Sequence, residues 1–425
     1  MRDFCFVHAA DLHLDTPFSG LARTAPALRE LLRDASLQAF DNLVQLTIES
    51  RAAFLLLAGD IYDGAERGLR AQLRFLEGME RLREAGIRVL LVHGNHDPLS
   101  GWSAVRDWPE NVTIFQAHEV QSVPIIQGGV CLATIYGISY AQPEMRENLA
   151  LKFARRAAQG LAIGLLHADA SAAKGQEMYS PCTAADLEQA GFDYWALGHL
   201  HLRQVVKEGS PWIVYPGNLQ GRSFKPSEHG AKGAFLVHVS SGQVQNLDFK
   251  PCDVVRFHLL RVDISAKRDL ADVRSDFLEQ LESLRHQGGS RALLIRGVIE
   301  GCGALHSDLR RAEVLEELQQ SLQEYAQGEK PFICWESVAA ETRGALDLEA
   351  IAQRGDFSAE LLHVAQKYQH DRQELRQLIE RAEADAVKAR VFRWLDRSAR
   401  TDAECEVLLE EALLLALELN EQEGQ

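Results

Sequence analysis

The chain has 425 residues, 46% hydrophobic and 25% charged, a balance that excludes disordered and collagenous classes and suits two or three folded domains. The absence of any apolar run of about 18 residues excludes a transmembrane helix, and seven dispersed cysteines without a Cys-x-x-Cys pair argue against a disulfide framework or a zinc knuckle. The formal net charge of −16 weighs against broad nonspecific nucleic-acid binding, although residues 341–425, with 19 acidic against 11 basic side chains, carry half of that excess.

The opening Met-Arg-Asp-Phe-Cys-Phe-Val enters a strand-like segment at once and lacks the pattern of a signal peptide, so the cytoplasm is the expected compartment. Short apolar runs at Phe4–Ala10, Phe54–Ala58, Arg88–Val92, Leu161–Leu166 and Tyr194–Leu197 read as buried strands. Helical patterns fall between them at Ala27–Ser50 and Arg67–Ala85, the second closed by Gly86 as a C-cap. Val130–Tyr136 and Trp212–Tyr215 add strands, and Ala234–Val239 with Val244–Phe249 reads as a hairpin around Ser-Gly. This predicts a layered α/β domain with a large mixed sheet or a pair of sheets.

Beyond Pro251 the order becomes strand Val255–Val262, helix Leu270–Leu284, strand Arg291–Ile299, helix His306–Ala326 and strand Pro331–Val338. From Ser358 onward only helical spacing remains: Leu361, Val364, Ala365 and Tyr368, then Leu375, Leu378, Ile379 and Ala382, and a last helix over Ala403–Asn420. The expected domains are 1–250, 251–341 and a helical region at 342–425.

Five motifs end the apolar strands in order: Asp11-Leu12-His13, Gly59-Asp60, Gly94-Asn95-His96-Asp97, His167, and Gly198-His199-Leu200-His201. The C-terminal ends of strands are where open α/β sheets gather ligand-binding groups. Imidazole with carboxylate suits manganese, iron or zinc and needs no thiolate. In Asp-x-His and His-x-His the ligands flank one residue and point to the same side of an extended segment. Two divalent ions so held can clamp a phosphoryl group and activate a water. Asp-x-His or Gly-Asp alone is commonplace, Gly-Asn-His-Asp and Gly-His-x-His after apolar strands are more telling, and all five, in order and at strand ends, are not chance.

This set resembles the calcineurin-like metallophosphoesterases, and no motif position departs from their pattern. The resemblance implies a metallophosphoesterase sandwich of mixed sheets flanked by helices, with a small α/β cap and a helical tail. It implies that Asp11, His13 and His201 hold one metal, that Asn95, His167 and His199 hold the other, and that Asp60 bridges them. His96 would protonate the leaving oxygen, oriented by Asp97. The stretch Tyr215-Pro216-Gly217-Asn218-Leu219-Gln220-Gly221-Arg222-Ser223-Phe224, then Lys232-Gly233-Ala234-Phe235, is similar to SbcD-type DNA repair nucleases. The opening His8-Ala9-Ala10-Asp11-Leu12-His13-Leu14-Asp15 and the helical tail are closer still to the YhaO-type exonuclease branch. What this implies is a two-metal DNA exo/endonuclease, with Mn²⁺ the expected ion and Fe²⁺, Zn²⁺ or Mg²⁺ also compatible. A cap at 251–341 would present DNA, an SMC-like ATPase of the SbcC type would dock on the tail, and a homodimer is expected; the alternative for the apolar stripe at 361–395 is packing on its own domain.

Two other classes stay open: the same chemistry on small phosphodiesters or phosphomonoesters, and a non-catalytic scaffold. His8 and His93 read as core histidines; Asp15 and Asp63, close behind motif residues, read as solvated turn residues, with binding of substrate or of an outer water as the alternative; and His229 reads as part of a surface loop, with approach to the substrate as the alternative. Arg23, Arg29, Arg33, Arg67, Arg70 and Arg74 form a local basic excess that suits either phosphate contacts or a charged helix face.

Overall fold

The computed structural model describes residues 2–16, 26–64, 68–155, 160–170, 179–328, 330–344, 346, 348–388 and 401–423. The chain divides into two compact units, one of Met1–Leu260 with Gln280–Arg296 and Ser321–Ser337, the other of Arg261–Glu279 with Gly297–Gln320 and Val338–Gln425.

The first unit opens with β1 (Phe4–Ala9), α1 (Pro26–Glu49), β2 (Phe54–Ala58), α2 (Leu69–Glu84), β3 (Arg88–Val92) and β4 (Val112–Ile114). Next come β5 (Gln121–Gln127), β6 (Val130–Gly137), β7 (Leu161–His167), α3 (Ala184–Gln189), β8 (Tyr194–Gly198), β9 (Gln204–Lys207) and β10 (Trp212–Tyr215). The hairpin of β11 (Gly233–Ser240) and β12 (Gln243–Pro251) follows. Ser241 and Gly242 at its tip both have positive φ, 53° and 78°, the handedness that matches strand twist in a tight hairpin.

Two six-stranded mixed sheets result, in the orders β12-β11-β1-β2-β3-β4 and β5-β6-β7-β8-β10-β9. Their central strands are parallel, and antiparallel partners stand at the margins. The alternation of side chains along each strand builds the layers. Phe54, Leu56 and Ala58 of β2 face between the sheets with Phe6, Leu90, Ile163, Leu165 and Tyr194. Leu55 and Leu57 turn outward against Phe40 and Val44 of α1 and Phe75 and Met79 of α2. On the far side Trp195, Leu197 and Ile213 pack with Leu187 and Phe192. Helix, sheet, sheet and helix are therefore stacked in four layers, as the apolar strand runs require.

The later elements are β13 (Val255–Asp263), α4 (Leu270–Gly288), β14 (Ala292–Cys302), α5 (His306–Leu309), α6 (Ala312–Tyr325) and β15 (Ile333–Arg343). The three strands form a sheet in chain order. The single helix expected at His306–Ala326 is two, because Arg311 N bonds to Asp308 O and the helical ladder restarts. Helices α7 (Leu348–Ala352), α8 (Phe357–His370), α9 (Arg372–Lys388) and α10 (Asp402–Glu423) complete the chain. In the second unit Leu362 and Ala365 of α8 pack with Leu413 and Leu417 of α10, so part of the tail's apolar stripe covers its own helices. Val364, Leu415 and Leu419 stay exposed. No helix among the described residues is long and apolar enough to cross a membrane.

Candidate metal centre

The expected site residues converge in the first unit at the C-terminal ends of β1, β2, β3, β7 and β8, and backbone bonds knit those ends together. Asp11 N bonds to Gly59 O at 3.1 Å, His13 N to Asp60 O at 3.0 Å, and Ala168 N to Gly198 O at 3.2 Å. The turns are sharp: Asp11, His13, Asp60 and His199 all have positive φ, between 42° and 107°. A non-glycine residue rarely adopts that conformation, and each instance stores strain that the surrounding bonds must hold. Gly94 is required for a different reason. A Cβ there would collide with Asp60 Oδ1 and lie 2.8 Å from His167 Nε2.

The floor of the site is buried. Asp11, His13, Asp60 and His167 are each at most 1% exposed. The Asp11 carboxylate accepts from His199 N at 3.0 Å, and Asp60 Oδ1 accepts from His96 N at 3.0 Å. His13 Nε2 lies 3.1 Å from His201 Nε2 and 3.8 Å from Asp60 Oδ2. His167 donates from Nδ1 to Ala58 O at 2.9 Å, which leaves the lone pair on Nε2. That nitrogen faces Asn95 Oδ1 at 3.0 Å and Asp60 Oδ2 at 3.4 Å.

These contacts bring acceptor against acceptor, an arrangement that a cation or a proton between them stabilises. Without a metal, a proton takes that place. Burial alone would lower the His167 pKa, yet the charges of Asp60 and Asp11 outweigh it and lift it to about 9. Asp60 is held well below the ordinary carboxylate range, because His167 and His13 more than offset its burial. His199 is pushed down to about 4 by burial and by His167. Asp11, His13 and His201 form one metal-capable group, and Asp11, Asp60 and His167 another. The donor set fits divalent ions of the manganese, iron and zinc type. Asn95, His199 and His201 are half-buried around this floor, and His96 stands exposed at the mouth.

The carboxylate that meets His96 is that of Asp63, whose Oδ1 lies 2.8 Å from His96 Nδ1. Asp97 was expected in that position. It is instead fully buried, with its oxygens accepting from Gly94 N, Ile61 N and His93 Nδ1 at 2.9–3.1 Å, so it clasps the turn that carries Asn95 and His96. Asp63, read from sequence as a turn residue, also approaches His13 Nδ1 at 3.4 Å and accepts from Arg222 Nη1 at 3.3 Å. Hydrogen bonds from His13 and His96 hold its carboxyl well below the ordinary range, and the same pairing raises the pKa of His96.

A residue not read from sequence is Glu228, which accepts from His201 Nδ1 at 2.7 Å. Its pKa falls to about 2, since His201 and neighbouring donors outweigh its burial. His8 and His93 are indeed buried, His8 bonded to Tyr194 Oη at 3.0 Å. His229 closes its own loop by donating to Phe224 O.

The early arginines form a charged helix face. Arg33 pairs with Asp34, Arg70 with Asp15 and Asp34, and Arg74 with Asp41 and Glu77. Arg23 and Arg67 lie outside the described residues, as does the side chain of Arg29.

A two-sheet sandwich with a largely buried cluster of histidine, aspartate and asparagine at its strand ends has the form of a metallophosphoesterase. Residues 5–203 match the family of calcineurin-like phosphoesterases, and residues 257–343 match the middle domain of the metallophosphoesterase YhaO. The chain is 35% identical over 334 residues to the uncharacterized metallophosphoesterase YhaO of Bacillus subtilis (strain 168), covering 78% of this chain and 80% of that one. It is 27% identical over 254 residues to the DNA double-strand break repair protein Mre11 of Sulfurisphaera tokodaii, covering 56% of this chain and 64% of that one. Against Mre11 of Aeropyrum pernix the identity is 26% over 310 residues, covering 66% and 71%. The chain belongs to the calcineurin-like metallophosphoesterases, alongside YhaO.

Proposed function

We propose that the chain is a Mn²⁺-dependent two-metal DNA exo/endonuclease, the nuclease subunit of a cytoplasmic complex with an SMC-like ATPase of the SbcC type. The observation that carries this reading is the exposed His96, tied through Nδ1 to Asp63 and standing at the mouth of a floor that a cation stabilises. In this reading Asp11, His13 and His201 would hold one ion, Asn95, His167 and His199 would hold the other, and Asp60 would serve both. Bound ions would supply an activated water and neutralise the phosphate oxygens. Asp63 keeps the proton on His96 Nδ1, which turns the second ring nitrogen toward the departing sugar oxygen. Proton donation there lets that oxygen leave as a hydroxyl. Asp97 holds the turn so that Asn95 faces the floor while His96 faces the mouth.

The Mre11 relatives are DNA double-strand break repair proteins, which favours a DNA substrate over a small ester. Residues 251–341 would act as a cap that presents DNA, and 342–425 as the element that docks the ATPase. A homodimer is part of the same proposal.

The test is Mn²⁺-dependent hydrolysis of end-labelled duplex DNA by wild type and His96→Ala, with metal content measured in parallel. Degradation by wild type, lost in a variant that keeps both metals, supports the reading; loss of metal from the variant sinks the assignment of His96. The net charge of −16 favours a second reading, hydrolysis of small phosphodiesters. Cleavage of bis-p-nitrophenyl phosphate with duplex DNA left intact would select it. Cleavage of neither substrate would leave a scaffold role.

A further inference from the structure

His13 Nε2 and His201 Nε2 meet 3.1 Å apart at the floor, yet their rings are supported differently. His13 is buried at the end of β1, whereas His201 is half-buried on the loop after β8. Something other than close packing has to aim it.

We propose that Glu228 is the positioning residue for His201: its buried carboxylate selects the tautomer with the proton on Nδ1 and turns the Nε2 lone pair toward the metal. This rests on the two-metal reading above. Glu228 is 4% exposed, on the short 3₁₀ turn Pro226–Glu228, 27 residues beyond His201 in the chain. Oε1 accepts from His201 Nδ1 at 2.7 Å. Oε2 accepts from Asn218 Nδ2 at 2.6 Å and from Arg222 N at 3.0 Å.

A buried carboxylate is costly unless its oxygens are bonded, and three donors fulfil that condition while fixing its angle. The carboxylate can only accept, so the imidazole nitrogen facing it must carry the proton. The backbone of His201 is pinned as well: its carbonyl accepts from Lys232 Nζ at 2.8 Å and from Asn218 N at 3.3 Å. One loop, 218–232, therefore aims the ring and holds the chain beneath it.

On the other side of the floor His167 is oriented by the Ala58 carbonyl. The rings of His201 and His167 thus have different hydrogen-bond partners behind them. Loss of Glu228 should weaken one ion and spare the other. Outer partners of metal-bound histidines typically contribute 10- to 100-fold in metal affinity.

The experiment is a calorimetric Mn²⁺ titration of the full chain, as wild type, Glu228→Gln, His201→Ala and the double variant. Fewer than two Mn²⁺ per wild-type chain overturns the two-metal reading itself, before Glu228 is at issue. Given two, Glu228→Gln is expected to weaken one ion by roughly 10- to 100-fold, leave the other unchanged, and add nothing to the loss in His201→Ala. Unchanged affinity for both ions overturns the proposal. So does a Glu228→Gln loss that persists in full in the His201→Ala background, because the residue would then act through the loop and not through the ring. A measurement free of any variant is the ¹⁵N-histidine spectrum of the Zn²⁺-loaded wild type. His201 is expected to carry its proton on Nδ1, and a proton on Nε2 rules the proposal out.

Discussion

Asp63→Asn keeps the shape of the side chain and removes its charge. Asp63 Oδ1 lies 2.8 Å from His96 Nδ1, and Oδ2 accepts from Arg222 Nη1 at 3.3 Å. The bond from Asp63 is the leading cause of the raised His96 pKa, while burial pulls the other way. A general acid works only while protonated, so activity is present below its pKa and lost above it. Without Asp63 the alkaline limb of the kcat profile therefore moves to lower pH. General acid catalysis is worth roughly 10²–10⁴-fold in total. Asp63 orients and charges the ring without being the donor, so its share should be smaller, about 10- to 100-fold, or ~1.4–2.7 kcal/mol at about 1.36 kcal/mol per decade. Substrate choice sharpens the test. The sugar oxygen of DNA needs a proton to leave, whereas p-nitrophenolate departs without one. The assay compares Asp63→Asn on end-labelled duplex DNA and on bis-p-nitrophenyl phosphate across pH. Equal losses on both substrates, or an alkaline limb that stays in place, would refute a role through the His96 proton.

Three further outcomes follow from the same geometry. Metal loading near pH 7.5 should release about one proton, because the metal-free His167 pKa is lifted to about 9 and a ligand imidazole must be neutral. Calorimetry in two buffers of different ionisation enthalpy reads this directly, and heats independent of buffer would contradict it. The same shift makes protonated His167 stabilise the metal-free fold most fully below its unfolded value near 6.5, a contribution lost as pH rises through about 9; Tm against pH in a chelating buffer should decline across that window. Gly78→Ala on α2 would ordinarily gain about 1 kcal/mol of helix propensity. Here the new methyl lies 2.5 Å from two Phe40 ring carbons and 3.1 Å from Val44, so overpacking should dominate by about 1–3 kcal/mol and lower the denaturation midpoint.

The strands that sequence reading missed share one property. β4, β5 and β9 are all edge strands. An interior strand covered on both faces must be apolar throughout, as Phe54–Ala58 is, and so announces itself. An edge strand is short, half-exposed and tolerant of proline. β5 reads Gln-Ser-Val-Pro-Ile-Ile-Gln and hides its strand character behind Pro124 and two glutamines. The site divides along a similar line. Groups that face the floor were legible because strand ends place them in short fixed motifs. Asp63 and Glu228 meet partners 33 and 27 residues away in the chain; proximity to a motif marks Asp63 as a candidate, but spacing names neither partner. Asp97 misled for the complementary reason. The resemblance implies that it orients His96, but the tight turn at Gly94 directs its carboxylate to backbone amides.

The charge of −16 and the DNA reading are reconciled by where the cations of the first unit are spent. Arg70 and Arg74 lie against carboxylates of α1 and its approach, Arg222 against Asp63, Arg256 against Asp253, and Arg296 against Glu336. A guanidinium already paired releases few counterions from a duplex, and salt dependence counts the phosphates neutralised, with a log–log slope near −0.9 for each. The chain alone should therefore bind duplex DNA with a shallow slope, about −3 or less steep, corresponding to roughly three phosphates. Binding measured by fluorescence anisotropy between about 50 and 200 mM salt gives this value. A slope of about −6 would mean that the arginines exchange their carboxylates for phosphate, and that the chain engages DNA unaided. A shallow slope that steepens when an SMC-like ATPase is added would place the electrostatic grip on the partner. The metal floor would then contribute chemistry at a strand delivered to it, which is the division of labour the proposed reading requires of an acidic chain.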